Sequence, residues 1–404
     1  MSSTADAVVV GGGVVGASVA FHLASMGMKH VVLCERRFLA AGATGKSGAL
    51  VRMHYTNEPE ARLAFASLPY FAHWDDTVGH GSAGFLRTGL LRIVSPENEA
   101  RLRANVEMLS GLGINTCVVG SKDVMRLAPS WTVEDISAAA FEPESGCADP
   151  VATTHGFAGR AGQLGAEIRL HTAVTAINVG GGRVRGVETS AGPVACPVVV
   201  VAGGAWAIPL LQGIGVTLPL QTVRVQVALF RRPPGETAPH PICIDGINEV
   251  WLRPAGPEWR STLVGISQRQ PVTNPDDLDE GVDRDYVQRA REQVVRRLPG
   301  IADIPMRGGW AGVITMSGDG KPVLDRHPEI DGVWFATGDS GTSFKTAPAV
   351  GRGLAEWVTQ GHPNVTDLRP FRASRFADGE LLVGEHEYGD SEADLTRRRG
   401  IMVG

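Results

Sequence analysis

Apolar positions follow two patterns along this chain, and their order predicts an α/β protein. Short unbroken apolar runs occur at Ala7–Val10, Val31–Cys34, Val198–Ala202 and Val333–Ala336, each bounded by glycines or polar residues. Runs of this length read as strands buried on both faces. Apolar residues at helical spacing mark Asn57 to Asp76 (Leu63, Leu68, Phe71, Trp74), Glu97 to Leu112 (Leu102, Val106, Leu109), and Asp283 to Leu298 (Val287, Ala290, Val294, Leu298). Further helices are predicted from Pro150 to Leu164 and from Ala347 to Gln360. Other strands are expected at Gly89–Val94, Glu167–His171, around Val174–Ile177, at Val184–Thr189, Gln221–Phe230, Glu249–Leu252 and Thr262–Ile266. Gly180-Gly181-Gly182 forms a hairpin-like turn among them. Strands clustered in the middle of the chain imply a second, mainly antiparallel sheet that roofs the first. The glycines of Gly308–Gly312 precede a polar turn at Ser317–Pro322. The stretch after Phe371 is charged and aperiodic, so it is expected to be an arm and receives no function.

The first two apolar runs flank Gly11-Gly12-Gly13-Val14-Val15-Gly16 and an Ala-rich helix, and the second ends in Glu35. That is a βαβ unit with the G-x-G-x-x-G fingerprint of dinucleotide binding. Gly11 allows the tight turn, Gly13 lets backbone approach a pyrophosphate, and Gly16 permits close helix–strand packing. The helix N-terminus offers unpaired N–H groups to phosphates. Glu35 is placed to accept from a ribose 2′-OH and would repel a 2′-phosphate, which leaves NAD or FAD rather than NADP.

Composition narrows the classes. The 404 residues suffice for two domains with cores, and 43% hydrophobic with 20% charged residues is ordinary for a globular protein. A net charge of −5 without a basic block argues against nucleic acid as partner. Cys34, Cys117, Cys147, Cys196 and Cys243 are scattered, which predicts neither a disulfide framework nor a zinc site and suits a reducing cytoplasm. Asp6 sits where an export signal needs positive charge. The uncharged run Thr189–Val223 is divided by prolines and glycines, so no membrane-spanning helix is expected.

Three more stretches carry chemistry. Small residues from Ala40 to Gly48, followed by Val51-Arg52, suggest a loop pressed on a ligand, with Arg52 a candidate anion anchor. Gly45-Lys46-Ser47 ends like a phosphate-binding Walker loop, but position 40 is Ala40 where that pattern needs glycine. Gly203-Gly204-Ala205-Trp206 directly after a buried strand implies close backbone approach to the dinucleotide. Gly338-Asp339-Ser340-Gly341-Thr342-Ser343-Phe344-Lys345 repeats the strand, glycine turn, helix order, with Lys345 at the turn's end.

Together these stretches resemble the FAD-dependent amine and amino-acid oxidoreductases of the D-amino acid oxidase type, nearest the sarcosine and glycine oxidases, over about Ala7 to Gly361. The resemblance implies a Rossmann-like FAD-binding domain of the glutathione-reductase type, built from residues 1–82, 150–217 and 305–370. A mainly antiparallel substrate domain would take 83–149 and 218–304, leaving 371–404 as a tail. It implies FAD contacts from Gly11, Gly13, Val14, Val15, Gly16, Glu35, Arg36, Ala43, Thr44, Gly45, Ser47 and Gly48. Val174 would meet the adenine, and Ala202, Gly203, Trp206, Gly312, Gly338, Ser340, Gly341, Thr342, Ser343 and Lys345 complete the set. Arg52 and Lys345 are implied as the pair that holds a substrate carboxylate over the flavin. Tyr55 and Trp251 are pocket candidates, with interior packing the alternative for each, as for His54. Around Gly312-Val313-Ile314, where sarcosine oxidases often tether FAD, no cysteine occurs, so non-covalent FAD is expected. The family's oxygen-site lysine corresponds by position to Leu263.

The implied reaction is hydride transfer from a neutral amine or amino acid to flavin N5, with water hydrolysing the imine, oxygen as acceptor and hydrogen peroxide as product. No side-chain base is called for, and none of the 11 histidines stands out. A flavin dehydrogenase of an amino acid or 2-hydroxy acid, passing electrons to a quinone or partner protein, is the enzyme alternative. A non-catalytic FAD-binding subunit of a multi-subunit amine oxidase is the alternative of another class. An oligomer is compatible with either.

Overall fold

The computed structural model describes residues 3–389. Its central sheet has six strands in the order Glu167–Arg169, Val31–Cys34, Ala7–Val10, Val199–Val201, Val333–Thr337 and Val323–Arg326. The first five run parallel and the last is antiparallel. The three innermost valine-rich strands are apolar throughout because both faces are covered. Helices Val14–Ser25, Pro150–Gln163 and Ala347–Gln360 pack on one face through Ala17, Phe157, Ala347 and Leu354. The hairpin Val174–Gly180 and Arg183–Thr189 and the short helix Ala207–Gln212 cover the other through Ile177, Val187 and Leu211. Gly181 and Gly182 both have positive φ, the geometry a two-residue hairpin turn requires.

The second sheet has nine strands. Its order is Gln270–Pro271, Leu220–Arg231, Ser261–Ile266, Val250–Ala255, Ile242–Asp245, Leu90–Ile93, Ala139–Glu142 and Cys117–Val119, with Met306–Ser317 also paired to Leu220–Arg231. All pairings are antiparallel except Ile242–Asp245 with Leu90–Ile93. Helix Arg284–Arg297 buries Tyr286, Ala290 and Val294 against it.

Three expectations change. The glycine stretch 308–312 lies inside the 12-residue strand Met306–Ser317, so this part of 305–370 belongs to the second sheet. The helix expected over 57–76 is broken: Asn57 caps Glu58–Ala72, His73 leaves helical backbone, and Trp74–Thr77 forms a separate turn. The segment after Phe371 is no loose arm as far as residue 389. Arg375 is wholly buried in a two-bond ion pair with Asp319 (2.7 and 2.9 Å), and Tyr388 is 2% exposed. Neither device leaves a mark in hydrophobic periodicity. Among the described residues no helix is long and apolar enough to cross a membrane, no group of acids, histidines and cysteines is placed to hold a metal ion, and the five cysteines are unpaired.

Candidate functional site: a cavity walled by both sheets

A cavity of about 1030 Å³ reaches from Gly11 and Glu35 to Gly338 and Lys345, and residues of both sheets form its wall. At one end the turn at Gly11 has φ +108°, and a Cβ there would lie 2.5 Å from the Ala202 carbonyl oxygen. Gly13 opens helix Val14–Ser25 without a side-chain cap. The Val14 N–H donates to Thr44 Oγ1 (3.1 Å), so this helix end and the loop at 42–48 share one wall. Glu35 accepts from the N–H groups of Gly12 (2.7 Å) and Arg37 (2.8 Å), which fixes its carboxylate while leaving lone pairs for a hydroxyl. Gly13, Val14, Val15, Arg36, Ala43, Thr44, Ser47, Gly48, Val174, Ala202, Gly203 and Trp206 all line this cavity.

Gly16 and Gly45 do not. A Cβ on Gly16 would lie 2.0 Å from the Gly11 carbonyl oxygen and one on Gly45 2.5 Å from that of Ala40, so both serve backbone packing behind the wall. Gly48 has a second duty: its missing Cβ makes room for Trp251, which would otherwise approach to 2.4 Å. Arg36 pairs with Asp276 (2.7 Å) and lies over the Trp206 ring, whose Nε1–H donates to the same carboxylate (2.8 Å).

At the other end the turn after Val333–Thr337 is held in unusual backbone, with positive φ at Gly338, Ser340 and Gly341. The Ser340 N–H donates to the Thr315 carbonyl oxygen, and Ser340 Oγ accepts from the Ser317 N–H (3.1 Å). These bonds dock the turn on the long strand Met306–Ser317, so Gly312, Ser340, Gly341, Thr342 and Ser343 face the cavity together. Lys345 Nζ donates to the Thr342 carbonyl oxygen (2.9 Å) and lies 5.4 Å from the centre of the Tyr55 ring. The Arg52 guanidinium lies 4.5 Å from the same centre and donates to the His54 carbonyl oxygen. The predicted pair thus meets at Tyr55, and Trp251 lines the same cavity.

Electrostatics here are governed by burial. It pushes Lys345 well below the usual lysine range, with Arg52 acting in the same sense and Glu60 and Asp339 opposing. Burial raises Asp339 to about 6 and Tyr55 above its ordinary value. It also keeps His54 neutral, with Arg92 and Arg52 adding to the effect.

Some wall residues had no sequence signal. Glu60, buried on helix Glu58–Ala72 and paired with Lys321 (2.8 Å), reads in the sequence as a surface acid. Tyr388 comes from the aperiodic segment, yet it lines the cavity and meets His54 Nε2 through its hydroxyl (2.7 Å). Leu263 is wholly buried in the second sheet with Val227 and Ala255 and does not reach the cavity.

A glycine-lipped helix end, a fixed carboxylate for a ribose hydroxyl and a second glycine turn at the far end suit FAD by size and donor set. They define a dinucleotide-binding α/β protein whose cavity carries Arg52 and Lys345 at its far end. The chain belongs to the DAO family of FAD dependent oxidoreductases, which matches residues 6–357. It is 27% identical to the FAD-dependent oxidoreductase domain-containing protein 1 of Mus musculus, over 94% of this chain and 86% of that protein. Sarcosine oxidase subunit beta of Rhodobacter capsulatus is 25% identical, over 94% of this chain and 91% of the relative. Human mitochondrial sarcosine dehydrogenase is 26% identical over 93% of this chain, which spans only 42% of that longer protein. The crystal structure of L-proline dehydrogenase from P. horikoshii superposes with a TM-score of 0.87 at 25% identity, covering 95% of this chain and all of that one.

Proposed function

We propose that this FAD-dependent enzyme oxidises the C–N bond of an amino acid or a carboxylate-bearing secondary or primary amine, giving an imine that water hydrolyses. The observation that carries the proposal is the placement of Arg52 and Lys345 over one aromatic ring on one cavity wall, with no acid paired to either among the described residues. A buried lysine and a half-buried arginine so placed favour a bound anion, and a substrate carboxylate supplies it. Tyr55 and Trp251 line the same cavity. When bound, FAD supplies the acceptor for the electron pair that leaves the substrate carbon. The names of the relatives, sarcosine and L-proline dehydrogenases, make secondary amino acids the first substrates to try.

FAD is held without a covalent tether in this reading. The stretch Gly312–Met316 has no cysteine, and Cys34, on the wall at the βαβ end, has its thiol pushed up to about 11 by burial. Five unpaired cysteines suit a reducing compartment such as the cytoplasm. Oxygen is the acceptor in the first reading, with hydrogen peroxide the product. A dehydrogenase is the second, and one feature favours it: the other wall lysines, Lys46 and Lys321, are tied to Glu280 (2.5 Å) and Glu60 (2.8 Å). No unpaired lysine besides Lys345 remains among the described wall residues to serve oxygen.

Anaerobic flavin bleaching against amines, amino acids and hydroxy acids tests the reaction, and peroxide yield against rates with artificial acceptors separates the two readings. Arg52→Ala and Lys345→Ala each lower kcat/KM by about 10²-fold or more, the scale of a lost buried ion-pair partner. Unchanged turnover in both variants removes the carboxylate anchor.

A further inference from the structure

We infer that Lys345 meets the substrate as a neutral amine and accepts the proton of the substrate's ammonium group. One transfer then creates both the charged anchor for the carboxylate and the neutral amine that is oxidised. The inference rests on the proposed role of Arg52 and Lys345 as the carboxylate anchor.

The argument starts from the surroundings of Nζ. Lys345 is 6% exposed, and among the described residues its Nζ has one hydrogen bond, to the Thr342 carbonyl oxygen (2.9 Å). The Arg52 guanidinium lies over the same Tyr55 ring, and no acid is ion-paired with Lys345 among the described residues. The acids that face it are Glu60 and Asp339. Glu60 is already committed to Lys321 Nζ (2.8 Å) and Asn57 Nδ2 (2.7 Å). Asp339 is raised to about 6 by burial and is therefore a carboxylate at pH 7.5, but it makes no ion pair with Nζ among the described residues. Two cations that share one site and have no directly paired anion are costly where burial weakens solvation, and the more deeply buried of them gives up its charge. A guanidinium does not deprotonate in proteins, whereas a buried lysine does so readily. Lys345 is therefore the group that yields, in accord with its depressed pKa.

An amino acid arrives as a zwitterion. Its carboxylate removes the penalty on a charged Nζ, and its ammonium must lose a proton before the C–N bond can be oxidised. In the transfer one substrate N–H bond breaks and one Nζ–H bond forms. No electrons move between the groups, and the net charge of the complex is unchanged. This assigns a base where the sequence reading called for none.

Acetate and benzoate, which carry the carboxylate without the amine, give a test on the FAD-loaded enzyme. Calorimetric titration at pH 7.5 in buffers of different ionisation enthalpy counts protons, while flavin absorption reports binding. Uptake of close to one proton per acetate is expected. Binding without uptake overturns the inference and leaves the anchor standing, whereas absence of binding removes the anchor itself. The second arm is Lys345→Arg, which keeps the charge permanently. For a substrate amine of pKa about 10, its kcat/KM is expected about 100-fold below wild type at pH 8, rising about tenfold per pH unit, while wild type stays flat from pH 7 to 9. Parallel pH profiles overturn the inference, and the wild-type titration decides it should the variant fail to fold.

Discussion

At the scale of residues, the site is an argument about charge in a space with few counter-ions. Arg52 and Lys345 were legible as cavity-wall residues because each ends a glycine-rich stretch beside a strand, where backbone approaches a ligand closely. Asp339 lies in the same glycine-rich motif as Lys345, but its character was hidden, since a carboxyl in a polar turn reads as solvated. In the fold burial raises it to about 6, so its neutral form is the one the folded state prefers. A folded pKa above the unfolded value contributes stability at low pH and loses it as pH rises between the two values, here from about 4 to about 6. Asp339→Asn in the FAD-free chain is thus expected to match wild type in stability near pH 4. It should exceed wild type by up to about 3 kcal/mol at pH 7, from the conversion of 1.36 kcal/mol per unit. Denaturant melts across that range measure the difference, and a gap that does not grow with pH refutes the assignment.

Elements were legible where one periodicity ruled. Helix Ala347–Gln360 and strand Val199–Val201 follow from unbroken patterns in which burial and local preference agree. Strand Met306–Ser317 did not, because its glycines suppress the β-signal and have a tertiary cause. A Cβ at Gly309 would lie 2.6 Å from the Val227 carbonyl oxygen on the paired strand, and one at Gly312 2.7 Å from Lys46 Cβ in the loop along the cavity. The glycines let a long strand pass close to both. Gly309→Ala is accordingly expected to cost about 1–3 kcal/mol through overpacking, although alanine is otherwise tolerated in strands better than glycine. Chemical denaturation reads this directly, and a neutral or stabilising result would mean that the strand has room to shift.

At the scale of the molecule, the segment after Phe371 ties the two ends of the chain to one cavity. Arg375 is wholly buried against Asp319, which also accepts from Ser317 Oγ (3.0 Å) and from the N–H groups of Lys321 (3.1 Å) and Leu382 (3.1 Å). Lys321 continues the chain to Glu60, and farther along Tyr388 meets His54. The clamp therefore fixes the cavity floor and the Tyr388 wall together, although 371–389 contributes no strand to either sheet. Arg375→Leu leaves a buried carboxylate without its partner, and the expected cost is about 3–5 kcal/mol. KM should rise as the Tyr388 wall loosens, while kcat changes less, because Arg52 and Lys345 are carried by other segments. The pH dependence has a definite sign. In wild type, burial favours the neutral form of Asp319 but Arg375 outweighs it and holds the carboxyl below the usual range. The pair's contribution is therefore complete above the unfolded carboxylate pKa of about 4 and fades only as pH falls through the lower folded value. In Arg375→Leu only the Ser317, Lys321 and Leu382 donors still oppose burial, the Asp319 carboxyl rises relative to wild type, and the variant is relieved by protonation at a higher pH than that. The stability gap between the two proteins should hence narrow on acidification while wild type is still intact. Adding Asp319→Asn to the variant should recover part of the loss at pH 7 and abolish the narrowing. A gap independent of pH would mean that Asp319 is not the charge left stranded.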